Sequence, residues 1–257
     1  MRCLPVIVIV LVFFTFCTSQ RERTHVKQDE YSHIADNQVR QILMKAIDKA
    51  GGIEAWQNLK TIEYTKHSIL FLEDSTVEVD HVQRHKYTMQ PEFGAMISWT
   101  MGEERHLITY TSTTAQKFVN DTLVNEDPSQ SVMSAIYVLG MPFKLLDPGT
   151  TLEYVGEVRL ESGEMAKSIK ATYDPNSHDN HSTQDEWYYY FAPDDGSFLG
   201  AMVYHPPTYA YIRNLEFDHT TPIQFHKHRK SYRSDSARNI KFLRAEFWYS
   251  DYEIEYK

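Results

Sequence analysis

From Thr61 to the C-terminus the chain alternates apolar and polar residues, and one long apolar stretch, Ser131–Gly149, interrupts it. Alternation with a period of two is the signature of strands that bury one face. Leu152, Tyr154, Val158 and Leu160 alternate with Glu153, Glu157 and Arg159. Ile169, Ala171 and Tyr173 alternate with Ser168, Lys170 and Thr172. Thr61–Leu72 and Thr76–Met89 are rich in β-branched and aromatic residues and flank Glu73-Asp74-Ser75, a hairpin pattern. Shorter strands are expected at Gly94–Met101, Arg105–Thr111 and Ala115–Val119. Further strands are expected at Glu186–Ala192, Phe198–His205, Tyr209–Phe217, Gln224–Tyr232 and Ile240–Tyr256. No linker and no repeat divides them. The chain therefore predicts one α+β domain of about ten antiparallel strands with two or three helical pieces, and a sheet of that size curls.

The interrupting stretch reads as a helix. Asp127 suits the N-cap and Pro128 the first helical position, with Gln130 completing a variant capping box. Val132, Met133, Ile136 and Tyr137 share one face, and Val138 and Leu139 make the other side apolar too. Gly140 ends the helix, Pro142 blocks its continuation, and Asp147-Pro148-Gly149 suits a type II turn. Two roles fit such a segment: a core plug, which burial tendencies favour, or the wall of a pocket in the curved sheet.

Ahead of the strands, Asp36 caps a second helix. Val39, Ile42, Leu43, Ala46, Ile47 and Ala50 form its apolar stripe, and Gly51-Gly52 stops it. Ile53–Leu59 adds a turn carrying Trp56.

The N-terminus predicts export. Leu4–Phe16 is an apolar run of thirteen residues, shorter than the roughly 20 that a membrane span needs, and Arg2 precedes it, as in a secretory signal peptide. Cys17 follows directly, in the manner of a bacterial lipoprotein signal whose cysteine is lipidated; Phe16 replaces the usual small residue, so ordinary cleavage near Ser19 is the alternative. We expect residues 1–17 to be the signal peptide, 18–32 a polar tether, and 33–257 a single curved-sheet domain. Cys3 and Cys17 are the only cysteines, so the domain contains no disulfide and no thiolate site. A formal net charge of −9 argues against nucleic acid and against adhesion to anionic headgroups. Membrane contact is expected only through an N-terminal lipid anchor.

Three patterns resemble a family of uncharacterised exported bacterial cell-envelope proteins. They are Ala50-Gly51-Gly52 with Trp56 and Leu59; Gly140-Met141-Pro142-Phe143 with Leu145 and Asp147-Pro148-Gly149; and Asp185, Trp187 and Tyr190 leading to Pro193. In outline that family is similar to the periplasmic lipoprotein carriers and outer-membrane lipoprotein receptors. The resemblance implies a half-open antiparallel barrel, helices across its concave face, and acyl chains held there. It implies a periplasmic or membrane-anchored location and supplies no catalytic residues.

The leading expectation is a non-catalytic envelope protein that binds a lipid or other apolar ligand and needs no cofactor. Met133, Ile136, Tyr137, Met141 and Phe143 would face the concave wall, with Trp56 and Trp187 closing the ends. The alternatives are a structural or partner-docking lipoprotein and a metal-dependent envelope hydrolase. The hydrolase would draw on His178, His181 and Asp185, which have metal-ligand chemistry in a polar loop, or on Asp147 and Asp185 as an acid–base pair. His226 and His228, two apart on a strand, would share a face, with His205 as a third candidate. No HExxH, GxSxG or Walker-type motif is present.

Overall fold

The first and last strands of this protein pair with each other in the middle of one sheet. The computed structural model describes residues 30–174 and 185–257. Its strands are β1 (Leu59–Phe71), β2 (Val77–Thr88), β3 (Gly94–Met101), β4 (Glu104–Tyr110), β5 (Ala115–Val119), β6 (Thr122–Val124), β7 (Thr150–Arg159), β8 (Met165–Tyr173), β9 (Glu186–Phe191), β10 (Phe198–His205), β11 (Thr208–Phe217), β12 (His226–Ser234) and β13 (Ile240–Tyr256). They form one curved, open, antiparallel sheet in the order β6-β5-β4-β3-β2-β1-β13-β12-β11-β10-β9-β8-β7. Three α-helices, α1 (Asn37–Lys49), α2 (Ile53–Gln57) and α3 (Ser129–Leu139), and a 3₁₀ turn at Phe143–Leu146 complete the described fold.

The order has one consequence for the site. Every connection between successive strands joins sheet neighbours except one. Strands β6 and β7 lie at opposite edges, so the segment between them, which carries α3 and the 3₁₀ turn, spans the sheet as a strap. The same face receives α1, whose Val39, Ile42, Leu43, Ala46 and Ile47 are buried. Asp36 fixes that helix twice over. One carboxylate oxygen accepts the N–H groups of Gln38 and Val39 as an N-cap, and the other accepts the N–H of Tyr154 on β7.

The strands are thirteen rather than about ten. Strand β6 has no counterpart among the expected strands, because a very short turn joins it to β5. Asn120 and Asp121 both adopt positive φ, 48° and 64°, as a two-residue hairpin loop requires. The core also begins earlier than expected: Tyr31, inside the stretch assigned to the tether, is 1% exposed. The leader, Cys17 and the loop bearing His178 and His181 lie outside the described residues. Among the described residues no helix is long and apolar enough to cross a membrane.

Candidate ligand-binding face

The helix α3 starts at Ser129, two residues beyond the expected cap. Asp127 accepts both the N–H and the hydroxyl of Ser129, so it closes a turn ahead of the helix and no capping box with Gln130 forms. Gly140 ends the helix as expected. Its position is fixed by packing: a Cβ there would lie 2.8 Å from the Trp56 ring and 2.6 Å from Lys144 Cγ. Trp56 in turn stacks on Phe143, with centroids 5.0 Å apart and planes 4° from parallel. Lys144 is ion-paired with Asp147. The Asp147-Pro148-Gly149 turn has Gly149 at φ 81° and a Thr150 N–H donated to Asp147 C=O, as a type II turn requires.

Two polar ties hold the strap to the sheet. The Tyr137, Tyr173 and Tyr189 hydroxyls form a buried chain, with O–O distances of 2.7 and 2.8 Å. Burial raises all three phenol pKa values, so they remain neutral hydroxyls that both donate and accept. On β12, His226 Nε2 lies 3.2 Å from Val138 C=O in the last turn of α3, where a helix leaves carbonyls unpaired. His226 is 1% exposed, and burial followed by the nearby Arg229 charge pushes its pKa well below the ordinary histidine value. The neutral ring therefore donates its proton to that carbonyl.

The residues nominated from sequence fall together, in a closed arrangement. Ile136, Tyr137, Met141 and Phe143 are buried in the main core, and Trp56 and Trp187 pack against it half-buried. Met133 is half-buried on the same helix. Trp187 stacks on Tyr189, centroids 5.7 Å apart. A cavity of about 330 Å³ has none of these residues, and none of α3, in its walls, and it is polar. It opens between α1, β7, β8 and the β9–β10 turn, and its walls include Gln38, Gln41, Lys45, Tyr154, Glu157 and Lys167.

The two candidate catalytic aspartates, Asp147 and Asp185, keep separate partners. Asp147 pairs with Lys144, whereas Asp185 Oδ1 lies 2.5 Å from His205 Nδ1. His226 and His228 do not share a face. The ladder with β13 stops at His228, and the pairing with β11 shifts register on both sides of Glu216. His226 consequently turns inward toward Phe217 and Tyr249, while His228 stacks on Trp248 and bonds Glu246 on the opposite face. Among the described residues no group of three His, Cys, Asp or Glu is placed to hold a metal.

The sequence reading missed a row of side chains on the helix-facing side. Asn214, Arg229, Phe247, Ser68 and His81 lie directly opposite one another across β11, β12, β13, β1 and β2. Their neighbours along the strands, Tyr249 and Tyr64, belong to the main core. Arg229 and Ser68 are 6% and 2% exposed. Nothing in His226–Ser234, a run rich in charged residues on both faces, marks Arg229 as the buried one.

This architecture, a curved open antiparallel sheet strapped by helices on one face, is a LolA-like fold. Three solved structures show it at 9% sequence identity, each aligned over 93% of its own length. A DUF1329 family protein from Desulfovibrio piger matches with a TM-score of 0.54 over 84% of this chain. A LolA superfamily protein from Nitrosomonas europaea matches equally, at 0.54 over 84%. A domain from Vibrio parahaemolyticus described as an outer membrane lipoprotein-sorting protein matches at 0.50 over 83%. The chain belongs to the family of unknown function DUF6503, whose pattern it matches over residues 31–212. No curated protein matches it.

Proposed function

We propose that this chain is an exported cell-envelope protein that binds a lipid or other apolar ligand between the concave sheet and its strap, without catalysis. The observation that carries this reading is the strap itself. It is an apolar segment, held by few polar ties, lying on the concave face of an open sheet in the fold of a lipoprotein-sorting domain. Ile136, Tyr137, Met141 and Phe143 would part from the sheet to admit an acyl chain, with Met133, Trp56 and Trp187 at the margins. Such a ligand would replace protein–protein apolar contacts with protein–ligand ones, at about 25 cal/mol per Å² of surface kept from water. The leader would direct export, and Cys17 would carry the anchoring lipid.

Native mass spectrometry tests this on the full chain exported by a bacterial host and purified without detergent. A lipid-sized mass that co-purifies and leaves on denaturation is the expected result. A bare polypeptide that also fails to take up added palmitate or phospholipid refutes the reading. A second reading, a partner-docking lipoprotein, would then lead. It draws on the exposed Leu72, Val77, Val82, Met96 and Met101 of the β1–β3 arm.

A further inference from the structure

The row across β11 to β2 contains a buried cation without a counter-ion. Arg229 is 6% exposed, and its one hydrogen bond runs from Nε to Asn214 Oδ1, 2.9 Å away. Asn214 is held in place by its own amide, which donates to Phe198 C=O at 3.0 Å. The two terminal nitrogens of Arg229 have no acceptor, and no carboxylate lies within ion-pair distance among the described residues. Glu246, on the neighbouring strand β13, is on the other face, engaged by His228 and Lys230. The side chain is mostly buried, yet its two terminal nitrogens are reached by solvent, so an entering anion could pair with them.

Two further groups surround the same spot. Across Phe247 from Arg229, the Ser68 hydroxyl is buried with no hydrogen-bond partner. Lys66 lies two residues along on the same face, its Nζ 4.9 Å from the Phe247 ring centroid, and it too has no ion pair among the described residues. Arg229 and Lys66 sit on strands either side of β13 and two residues out of line, so their backbones are about 12 Å apart. That gap is wide enough for one oxyanion to accept from both.

We infer that Arg229, Lys66 and Ser68 form the head-group site for an anionic amphiphile. A carboxylate or phosphate would sit over Phe247, and its acyl chain would run beneath the strap toward Ile136 and Tyr137. Arg229 offers the fork geometry that carboxylate and phosphate oxygens match, and Asn214 is its positioning residue. This inference rests on the lipid-binding reading and narrows its ligand to amphiphiles with a carboxylate or phosphate head.

The test measures displacement of a fluorescent apolar probe from the full chain by palmitate, methyl palmitate, hexadecyl phosphate and inorganic phosphate. Palmitate and hexadecyl phosphate should compete roughly tenfold to a hundredfold more strongly than the methyl ester, the range of a charge-assisted hydrogen bond. Arg229→Gln should bring that ratio close to one, and Arg229→Lys should retain part of it. Equal competition by acid and ester in the wild type overturns the inference and leaves lipid binding standing. Failure of both acid and ester to compete overturns lipid binding itself. Inorganic phosphate competing as well as hexadecyl phosphate would mean a free-anion site and would overturn the amphiphile. If Arg229→Gln does not fold, Lys66→Gln at its half-buried position carries the same measurement, and an unchanged ratio there counts against the site.

Discussion

Replacing Gly140 by alanine tests whether the strap is seated as tightly as its geometry implies. The backbone at Gly140, φ −81° and ψ 8°, accepts an alanine without strain. The added methyl group is the whole perturbation. It would sit 2.8 and 2.9 Å from two carbons of the Trp56 ring, where ordinary contact is about 3.5–4.0 Å. The ring must therefore retreat by nearly an ångström, and its parallel stack on the 2%-exposed Phe143 blocks that path. Lys144 can swing aside only by disturbing its ion pair with Asp147. Overpacking of this kind costs about 1–3 kcal/mol, and the lost backbone freedom of the unfolded chain returns about 0.4–1 kcal/mol. The net expectation is a loss of about 1–2 kcal/mol. Urea titration followed by far-ultraviolet circular dichroism measures it, with an unchanged slope showing that only stability moved. The same substitution in a Trp56→Leu background should cost less, because the ring is gone and only the Lys144 contact remains. Gly140→Ala as stable as the wild type, or equally costly in both backgrounds, would refute the account of why glycine stands there.

Two further substitutions probe the ties around the strap. Asp36→Ala removes the acceptor for the Gln38, Val39 and Tyr154 N–H groups and should cost about 1–2 kcal/mol at the cap alone. Those bonds, the one from Tyr154 first, hold the Asp36 pKa below its ordinary value. Its contribution is therefore present above the unfolded carboxylate pKa and is lost as pH falls through the folded one. Loss of stability on acidification should be correspondingly shallower in Asp36→Ala, and an identical pH profile would count against the bonds. His226 also has a folded pKa below the unfolded one, here because burial disfavours its charge. The unfolded chain then binds more protons once pH drops below about 6.5, and stability falls with further acidification by up to about 1.4 kcal/mol per pH unit for one such group. His226→Gln should start less stable, having lost the Val138 contact, yet show a flatter slope between neutral and mildly acid pH. A slope equal to the wild type's would mean His226 is not held neutral.

The strands and helices were legible because their side chains declare a period. The stripe from Val39 to Ala50 and the alternation in Leu152–Leu160 each admit one reading, and Gly140 and Gly149 punctuate as glycine does. The candidate site was legible only in its apolar half. Ile136, Tyr137 and Phe143 advertise burial, whereas Arg229 and Lys66 sit in segments with polar residues on both faces. Which face closes inward depends on sheet curvature and on register shifts, such as those around Glu216 and between Ser231 and Tyr232. A shift of one residue exchanges the two faces, so alternation alone placed His226 beside His228 when the fold parts them. The β6 hairpin was lost for a different reason: its turn rests on two positive-φ residues, Asn120 and Asp121, with no glycine to announce them.

The central pairing of β1 with β13 also sets an order of events as the chain is made. Apart from that seam and the strap, successive strands find their partners through local hairpins, which close quickly. Strand β1 is different. Its thirteen residues acquire one neighbour early, from β2, but the other side stays open until the last seventeen-residue strand of the chain arrives. Throughout synthesis the nascent protein therefore presents one long unpaired edge that carries Ile62, Tyr64, Ile69 and Leu70, an invitation to mispair with other chains. The seam, as the strand pairing of greatest sequence separation, is expected to form last.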